Sequence, residues 1–389
     1  MKTVKSPVQS PSPRWLPAAL SVILGACASG APAVPPAQAP EEAFPAEVFP
    51  EGTLPGHPEA EDFRIAGGSP EAEDAQIAGE FPREALPVSA FEEVWVYVVQ
   101  GREEALREGL PISDLGYFGA ELDSYGRLVS VPNPRDLPPF GGRVHLVVKC
   151  DSYSLTHFVL KEGSPERREL IAALLAETRN FDGLQIDFEY IPARDGEAFF
   201  SFLKELRSGL GAKFFTAALK ARTRPIANDV YDYGRISPLV DRVLVMAYDE
   251  HWGGSSPGPI ASMEWCRNVA SYALSVIGRD KLIMGLPFYG RAWIEPSPAK
   301  AYTYPQIETL LRENDIQYIS REEGIPSFEY EIPVTVKGYY EDAGSLAERL
   351  LMYRSLGVRA AGFWRLGQET QAVWDTLRLE KTGAPNPGE

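Results

Sequence analysis

Asp187 and Glu189 stand two residues apart near the end of the run Phe181-Asp-Gly-Leu-Gln-Ile-Asp-Phe-Glu-Tyr190, with the amide of Gln185 two residues before them. Side chains of an extended strand alternate between faces, so these three polar groups share one face while Leu184, Ile186 and Phe188 share the other. With a rise of about 3.3 Å per residue, the carboxylates start ~6.6 Å apart and can converge to contact. This is the arrangement a general acid requires: Asp187 ionised, Glu189 raised by its neighbour and by partial burial, ready to protonate a leaving oxygen. The same spacing also fits a strand-end pair solvated by loop water or bound by Lys or Arg. Spacing alone leaves both readings open.

The elements that must position this pair are legible around it. Short β-branched and aromatic runs alternate with amphipathic stretches from about Pro87 to Glu380, the pattern of a parallel α/β fold. The strands are expected at Glu93–Gln100, near Ile112–Gly119, and at Arg143–Cys150, Leu184–Tyr190, Phe214–Leu219, Arg242–Tyr248, Leu282–Tyr289 and Ala360–Leu366. Helices are expected at Ser164–Thr178, where Ser precedes a Pro at the first helical position, at Asp195–Gly209 and at Ser262–Ile277. Eight such units predict a TIM (β/α)8 barrel over residues 86–380, with a small α+β insertion at about 294–338, after strand seven. An open doubly wound sheet is the alternative, but no GxGxxG follows a strand. In a barrel, the polar face of the Asp187 strand points inward. Unpaired carboxylates there cost several kcal/mol unless they sit at the C-terminal mouth and hydrogen-bond each other.

Composition narrows the chemistry. The 389 residues, 44% hydrophobic and 24% charged, suffice for a large core. A formal net charge of −16 argues against partners held through phosphate charge, so nucleic acid is excluded as a first expectation. Three cysteines and four histidines in no close ligand-type spacing predict neither a disulfide framework nor a metal site, and no cofactor is expected. Cys150 and Cys266 are expected to be small buried thiols, and Trp95, Trp265 and Trp374 to be packing residues.

Lys2, Lys5 and Arg14 precede an apolar run, Trp15 to Ala26, that leads through Leu24-Gly-Ala into Cys27. The run has the length of a signal-peptide hydrophobic region, and Leu-Gly-Ala-Cys resembles the bacterial lipobox. Residues 1–27 are therefore expected to be a lipoprotein signal with Cys27 as the lipidated residue. Export and a membrane partner through the lipid anchor follow from that reading. Residues 28–85, rich in Pro, Ala and Glu, are expected to form a disordered tether, and 381–389 a flexible tail. Within the tether Pro58-Glu-Ala-Glu-Asp-Phe-Arg-Ile-Ala-Gly67 recurs as Pro70-Glu-Ala-Glu-Asp-Ala-Gln-Ile-Ala-Gly79, read as linker expansion or a short binding motif. A monomer is expected.

Four motifs in order carry a family resemblance. Asp182-Gly-Leu-Gln-Ile-Asp-Phe-Glu189 resembles the DGxDxDxE motif on strand four of family-18 glycoside hydrolases, the chitinases and their relatives. Met246-Ala-Tyr-Asp249 is similar to that family's MxYD, Gly285-Leu-Pro-Phe-Tyr-Gly-Arg-Ala-Trp293 to its GxPxYGRxW, and Gly362-Phe-Trp364 to the segment closing strand eight. One departure stands out: Gln185 replaces the family's middle aspartate. An amide here is expected to donate a hydrogen bond to Asp187, keeping it ionised or fixing its rotamer, and Gln185 is expected among the substrate-binding residues. The form with an amide, and the run Tyr248-Asp-Glu-His-Trp-Gly-Gly254, resemble the bacterial spore-cortex and peptidoglycan N-acetylglucosaminidase branch.

The resemblance implies a substrate-assisted retaining mechanism on N-acetylglucosamine-containing glycans, peptidoglycan or chitin oligosaccharide. Glu189 would be the proton donor. Asp187 would hydrogen-bond the acetamide N–H, and Tyr248 would donate to the acetamide oxygen. Asp249 and Tyr289 would contact sugar hydroxyls and Trp364 would floor the sugar, with Arg291 an ion-pair partner. On the loop after strand six, beside Glu250 and His251, Trp252 would stack on an outer sugar. A non-catalytic carbohydrate-binding relative is a competing class, but there the terminal acid is typically replaced, and Glu189 is present.

Overall fold

Strand alternation in this chain separates two apolar populations, and that separation closes a barrel. The eight strands are Glu93–Val99 (β1), Asp114–Leu122 (β2), Arg143–Cys150 (β3), Gly183–Phe188 (β4), Phe214–Lys220 (β5), Arg242–Met246 (β6), Leu282–Pro287 (β7) and Ala360–Trp364 (β8). Each pairs in parallel with the next, and β8 pairs with β1. The computed structural model describes residues 76–77, 86–294, 297–331 and 335–380. The stretch read as a signal peptide ending in Cys27, most of the stretch read as a tether, and residues 381–389 lie outside the described residues.

Inward-facing Trp95, Tyr97, Phe118, Val147, Ala218, Leu244, Ile283 and Ala360 fill the barrel, and Trp364 packs on top of them. The alternate positions, such as Val94, Val96, Leu146, Val148, Leu184 and Ile186, face the helices. Burial on both sides leaves these strands few polar positions, so what each polar residue inside meets can be traced one by one. At the N-terminal end of the barrel the buried Asp114 takes Arg143 Nε at 2.6 Å and His145 Nε2 at 2.8 Å. Burial alone would raise this carboxyl, but the hydrogen bonds from His145 and Arg143 outweigh it and hold it below the usual range.

The helices fall where the caps predict. Ser164 accepts from Arg167 N ahead of Pro165–Glu177, and Ser262 accepts from Trp265 N ahead of Met263–Ile277. The helix Gly196–Leu210 buries Phe199, Phe200, Phe202, Leu203 and Leu206. Trp95 and Trp374 are buried and Trp265 packs against the main core, while Cys150 and Cys266 are buried free thiols, all as expected.

The insertion begins earlier than the sequence pattern placed it. Strand β7 stops at Pro287, and its last rung to β8 is Phe288 N donating to Trp364 O at 2.7 Å. A second strand, Tyr289–Ile294, then joins an antiparallel sheet with Ser297–Thr303, Thr335–Tyr339, Ile325–Glu331 and Tyr318–Glu322. The helix Tyr304–Glu313, opened by a Thr303–Gln306 capping box, belongs to the same unit. Gln76–Ile77, inside the stretch read as tether, pairs antiparallel with Tyr318 and Ile319.

Candidate active site

The inward face of β4 carries Gln185 and Asp187, and Glu189 lies one residue beyond Phe188, where β4 ends. The chain there is pinned from both sides. Glu189 N donates to Cys150 O at 3.0 Å, the Tyr231 hydroxyl donates to Glu189 O, and Thr156 Oγ1 donates to Tyr190 O. The acid is thus fixed through its backbone by β3, by the helix Tyr153–Leu160 and by the loop after β5.

Gln185 corrects an expectation. It is 1% exposed, accepts from the Tyr97 hydroxyl at 2.6 Å and donates to Thr216 Oγ1 at 3.0 Å. Its amide therefore bonds β5, not Asp187, and it sits below the mouth with both polar atoms engaged, so it is not a substrate contact. The reason is register: Gln185 lies opposite Thr216 on β5, whereas Asp187 is two residues further along the same strand. Asp187 Oδ1 is left buried without a hydrogen-bond partner.

Two lysines act on Asp187 by charge, without a hydrogen bond to it. Lys149 lies opposite Asp187 on β3, and Lys220 ends β5, four residues beyond Thr216 as Glu189 is four beyond Gln185. Lys149 also meets Asp151 at 3.1 Å and Glu121 at 3.7 Å. Burial is the largest influence on Asp187 and pushes it above the ordinary carboxylate range, while Lys149 and Lys220 pull it back. Glu189 is raised first by burial, then by the Asp187 charge, and lowered by Lys220. The expectation of a raised Glu189 matches this geometry. Asp187 is raised as well, because burial acts on it without an amide donor.

Tyr248 follows β6 and is held electrostatically close to Tyr97, Tyr289, Asp187 and Glu189. Burial and these neighbours keep its phenol protonated and so a hydrogen-bond donor. Its ring meets Tyr289 edge-on at 6.4 Å. Asp249, at a left-handed φ of 60°, accepts from the Tyr289 hydroxyl at 2.6 Å and from Arg291 Nε at 3.0 Å, both on Oδ1. Arg291 is the ion-pair partner expected. Tyr289 and Asp249 thus hold each other across the join between barrel and insertion.

Trp364, partly exposed, lies 5.5 Å from Tyr97 and 4.8 Å edge-on from Phe118, closing the apolar barrel interior beneath the mouth. On the loop after β6, Glu250 accepts from Ser262 N at 2.7 Å and His251 Nδ1 meets Pro259 O at 2.8 Å. The Trp252 indole covers Gly254, where a Cβ would come within 2.5 Å of the ring. The preceding glycine ties the loop to the insertion, with Ala299 N donating to Gly253 O at 2.8 Å. No group of His, Cys, Asp and Glu suited to hold a metal ion occurs among the described residues.

Tyr97, Thr216, Lys149 and Lys220 escaped the sequence reading. The signal for the lysines was present: each stands in period-two step with inward residues, Val147 before Lys149 and Ala218 before Lys220, at the C-terminal end of its strand.

Comparison with known proteins assigns the barrel that carries this mouth to a family. The family model for glycosyl hydrolases family 18 matches residues 157–369, more than half the chain. The chain belongs to that family. YdhD of Bacillus subtilis, named as a sporulation-specific glycosylase, is 34% identical over 204 residues, 49% of this chain and 48% of that protein. The cortical fragment-lytic enzyme of Bacillus subtilis is 26% identical over 304 residues, 71% of this chain and 70% of that one. The crystal structure of the Bacillus cereus spore cortex-lytic enzyme SleL superposes with a TM-score of 0.66 at 22% identity, covering 76% of this chain and 77% of that one. It shares the fold. The chain spans about half the length of the first of these curated relatives.

Proposed function

We propose that this family-18 protein hydrolyses β-1,4 linkages of N-acetylglucosamine-containing glycans, with peptidoglycan strands or fragments as substrate, by a substrate-assisted retaining mechanism. The observation that carries the reading is the buried Asp187 Oδ1 without a protein partner, beside Glu189 and Tyr248. A buried acceptor left unsatisfied costs about 1–3 kcal/mol, and a donor on the substrate relieves that cost. An acetamide supplies such a donor in its N–H and an acceptor for the Tyr248 hydroxyl in its carbonyl oxygen.

Held between those two groups, the acetamide oxygen attacks the anomeric carbon from within the substrate. Glu189, protonated because burial and Asp187 raise it, gives its proton to the glycosidic oxygen, and the C–O bond to the leaving sugar breaks. The ring so formed carries positive charge, which the Asp187 carboxylate stabilises. Glu189, now ionised, takes a proton from water as the water opens that ring and restores the acetamide. Trp364 provides the apolar surface under the sugar.

Names of the relatives favour cortex and other peptidoglycan glycans as substrate, and the amide at position 185 agrees with that branch. Chitin oligosaccharide is the second reading, supported by the shared family motifs. Lipidation at Cys27, export and attachment to a membrane complete the proposal, with the stretch from 28 to 85 as spacer. Mass spectrometry of products from purified peptidoglycan and from chitin oligomers decides the substrate. Release of N-acetylglucosamine reducing ends from peptidoglycan is expected, and release from chitin oligomers alone would transfer the assignment to the second reading.

A further inference from the structure

Lys220 is 8% exposed, yet its ammonium has no hydrogen-bond partner. The surroundings explain why it is tolerated. Its Nζ lies 4.9 Å from the centre of the Tyr190 ring and 5.7 Å from that of Tyr231, so two aromatic faces take part of the role of water. Both tyrosines belong to the framework of the acid: Tyr190 follows Glu189 in the chain, and Tyr231 donates its hydroxyl to Glu189 O. The lysine backbone is fixed in turn, since Lys220 O accepts from the Tyr233 hydroxyl at 2.7 Å.

The charges facing this ammonium are Glu189 and Asp187 on the β4 side and Arg222 and Asp229 on the loop after β5. Arg222 is consumed in a two-point ion pair with Asp229 at 2.7 and 3.1 Å. Lys220 therefore has the acid pair as its electrostatic counterpart. Glu189 in turn is faced by Asp187, Asp249 and Asp151, which all raise it, and by Lys220, which opposes them.

We propose that Lys220 is a positioning residue for the general acid: clamped between the Tyr190 and Tyr231 rings at the strand end beside Glu189, its charge sets the pH at which Glu189 gives up its proton. Without an opposing cation, burial and three carboxylates would keep Glu189 protonated so strongly that it would be a poor donor in the first step. Lys220 brings the proton affinity back toward the working range. This role rests on the assignment of Glu189 as acid in the proposed function.

The test is a carboxyl 13C titration of Glu189 by NMR, its signal assigned by loss in Glu189→Gln, in the intact protein and in Lys220→Met, Lys220→Gln and Lys220→Arg. The same proteins give pH profiles of kcat/KM on a chromogenic N-acetylglucosamine oligomer. Removing the charge in Lys220→Met or Lys220→Gln is expected to raise the Glu189 midpoint by about one unit, the lower end of the effect of a close opposite charge. The alkaline limb then moves up by the same amount, and Lys220→Arg restores both toward the original. An unchanged midpoint in the folded neutral variants overturns the proposal, as does an equal shift in Lys220→Met and Lys220→Arg, or a loss of activity with no movement of the limb. If the intact protein hydrolyses no N-acetylglucosamine glycan, the functional reading falls, while the NMR titration still decides whether Lys220 governs Glu189.

Discussion

Gln185→Asp restores the carboxylate that the family motif has at this position, and its effect can be worked from the contacts of the amide. The Tyr97 hydroxyl already donates to Gln185 Oε1 at 2.6 Å, and the Thr216 hydroxyl, now an acceptor at 3.0 Å, can turn to donate. An introduced carboxylate would thus be held ionised by two donors at a position 1% exposed. It would lie on the same face as Asp187, ~6.6 Å away by strand rise. At an effective dielectric of about 20, two like charges at that separation repel by about 2.5 kcal/mol, equivalent to ~1.8 pH units. Asp187, already raised by burial, would be raised further, or the two would share a proton and titrate as one pair. Since the mechanism needs Asp187 ionised, the acidic limb of the kcat/KM profile is expected to move to higher pH by up to about 1.8 units. A profile that superimposes on the original, or a limb that moves to lower pH, refutes the electrostatic reading of this strand.

Glu189→Gln removes the proton donor and is expected to lower kcat by about 10²- to 10⁴-fold while calorimetry still detects glycan binding. Tyr248→Phe keeps the ring packing against Tyr289 and loses the hydroxyl, with an expected fall in kcat of about 10²–10³ in steady-state assays. Asp187→Asn is expected to be more heat-stable than the original protein above neutral pH. The folded carboxyl binds its proton more tightly than the unfolded one, so the native state loses stability as pH rises from the ordinary carboxylate value through the raised one. Melting curves at pH 4 and pH 8 should show a gain in Tm that is larger at pH 8. Glu341→Ala strands the fully buried Arg349, to which it is paired at 2.8 Å, and should cost about 3–5 kcal/mol in urea unfolding.

Much of the architecture was legible because a strand buried on both faces and a capped helix are local patterns. Arg143–Cys150 was read with its observed bounds, and the helices opened by Ser164 and Ser262 began within a residue of their expected starts. Boundaries at the mouth were harder. The pattern merged Tyr289 into strand seven, whereas Tyr289 pairs with Thr303 in the insertion sheet, a partner that alternation along the strand does not reveal.

By itself the sequence determined that Gln185, Asp187 and Glu189 share an inward face and that a barrel carries them, since alternation and element order are properties of neighbouring residues. Only the tertiary structure decided what each meets. Gln185 bonds Tyr97 and Thr216, Asp187 feels the charges of Lys149 and Lys220, and Glu189 that of Lys220. Those partners sit on other strands, at heights set by the register of barrel closure. A side chain's proton affinity depends on charges a few ångströms away in space, which spacing along the chain does not encode.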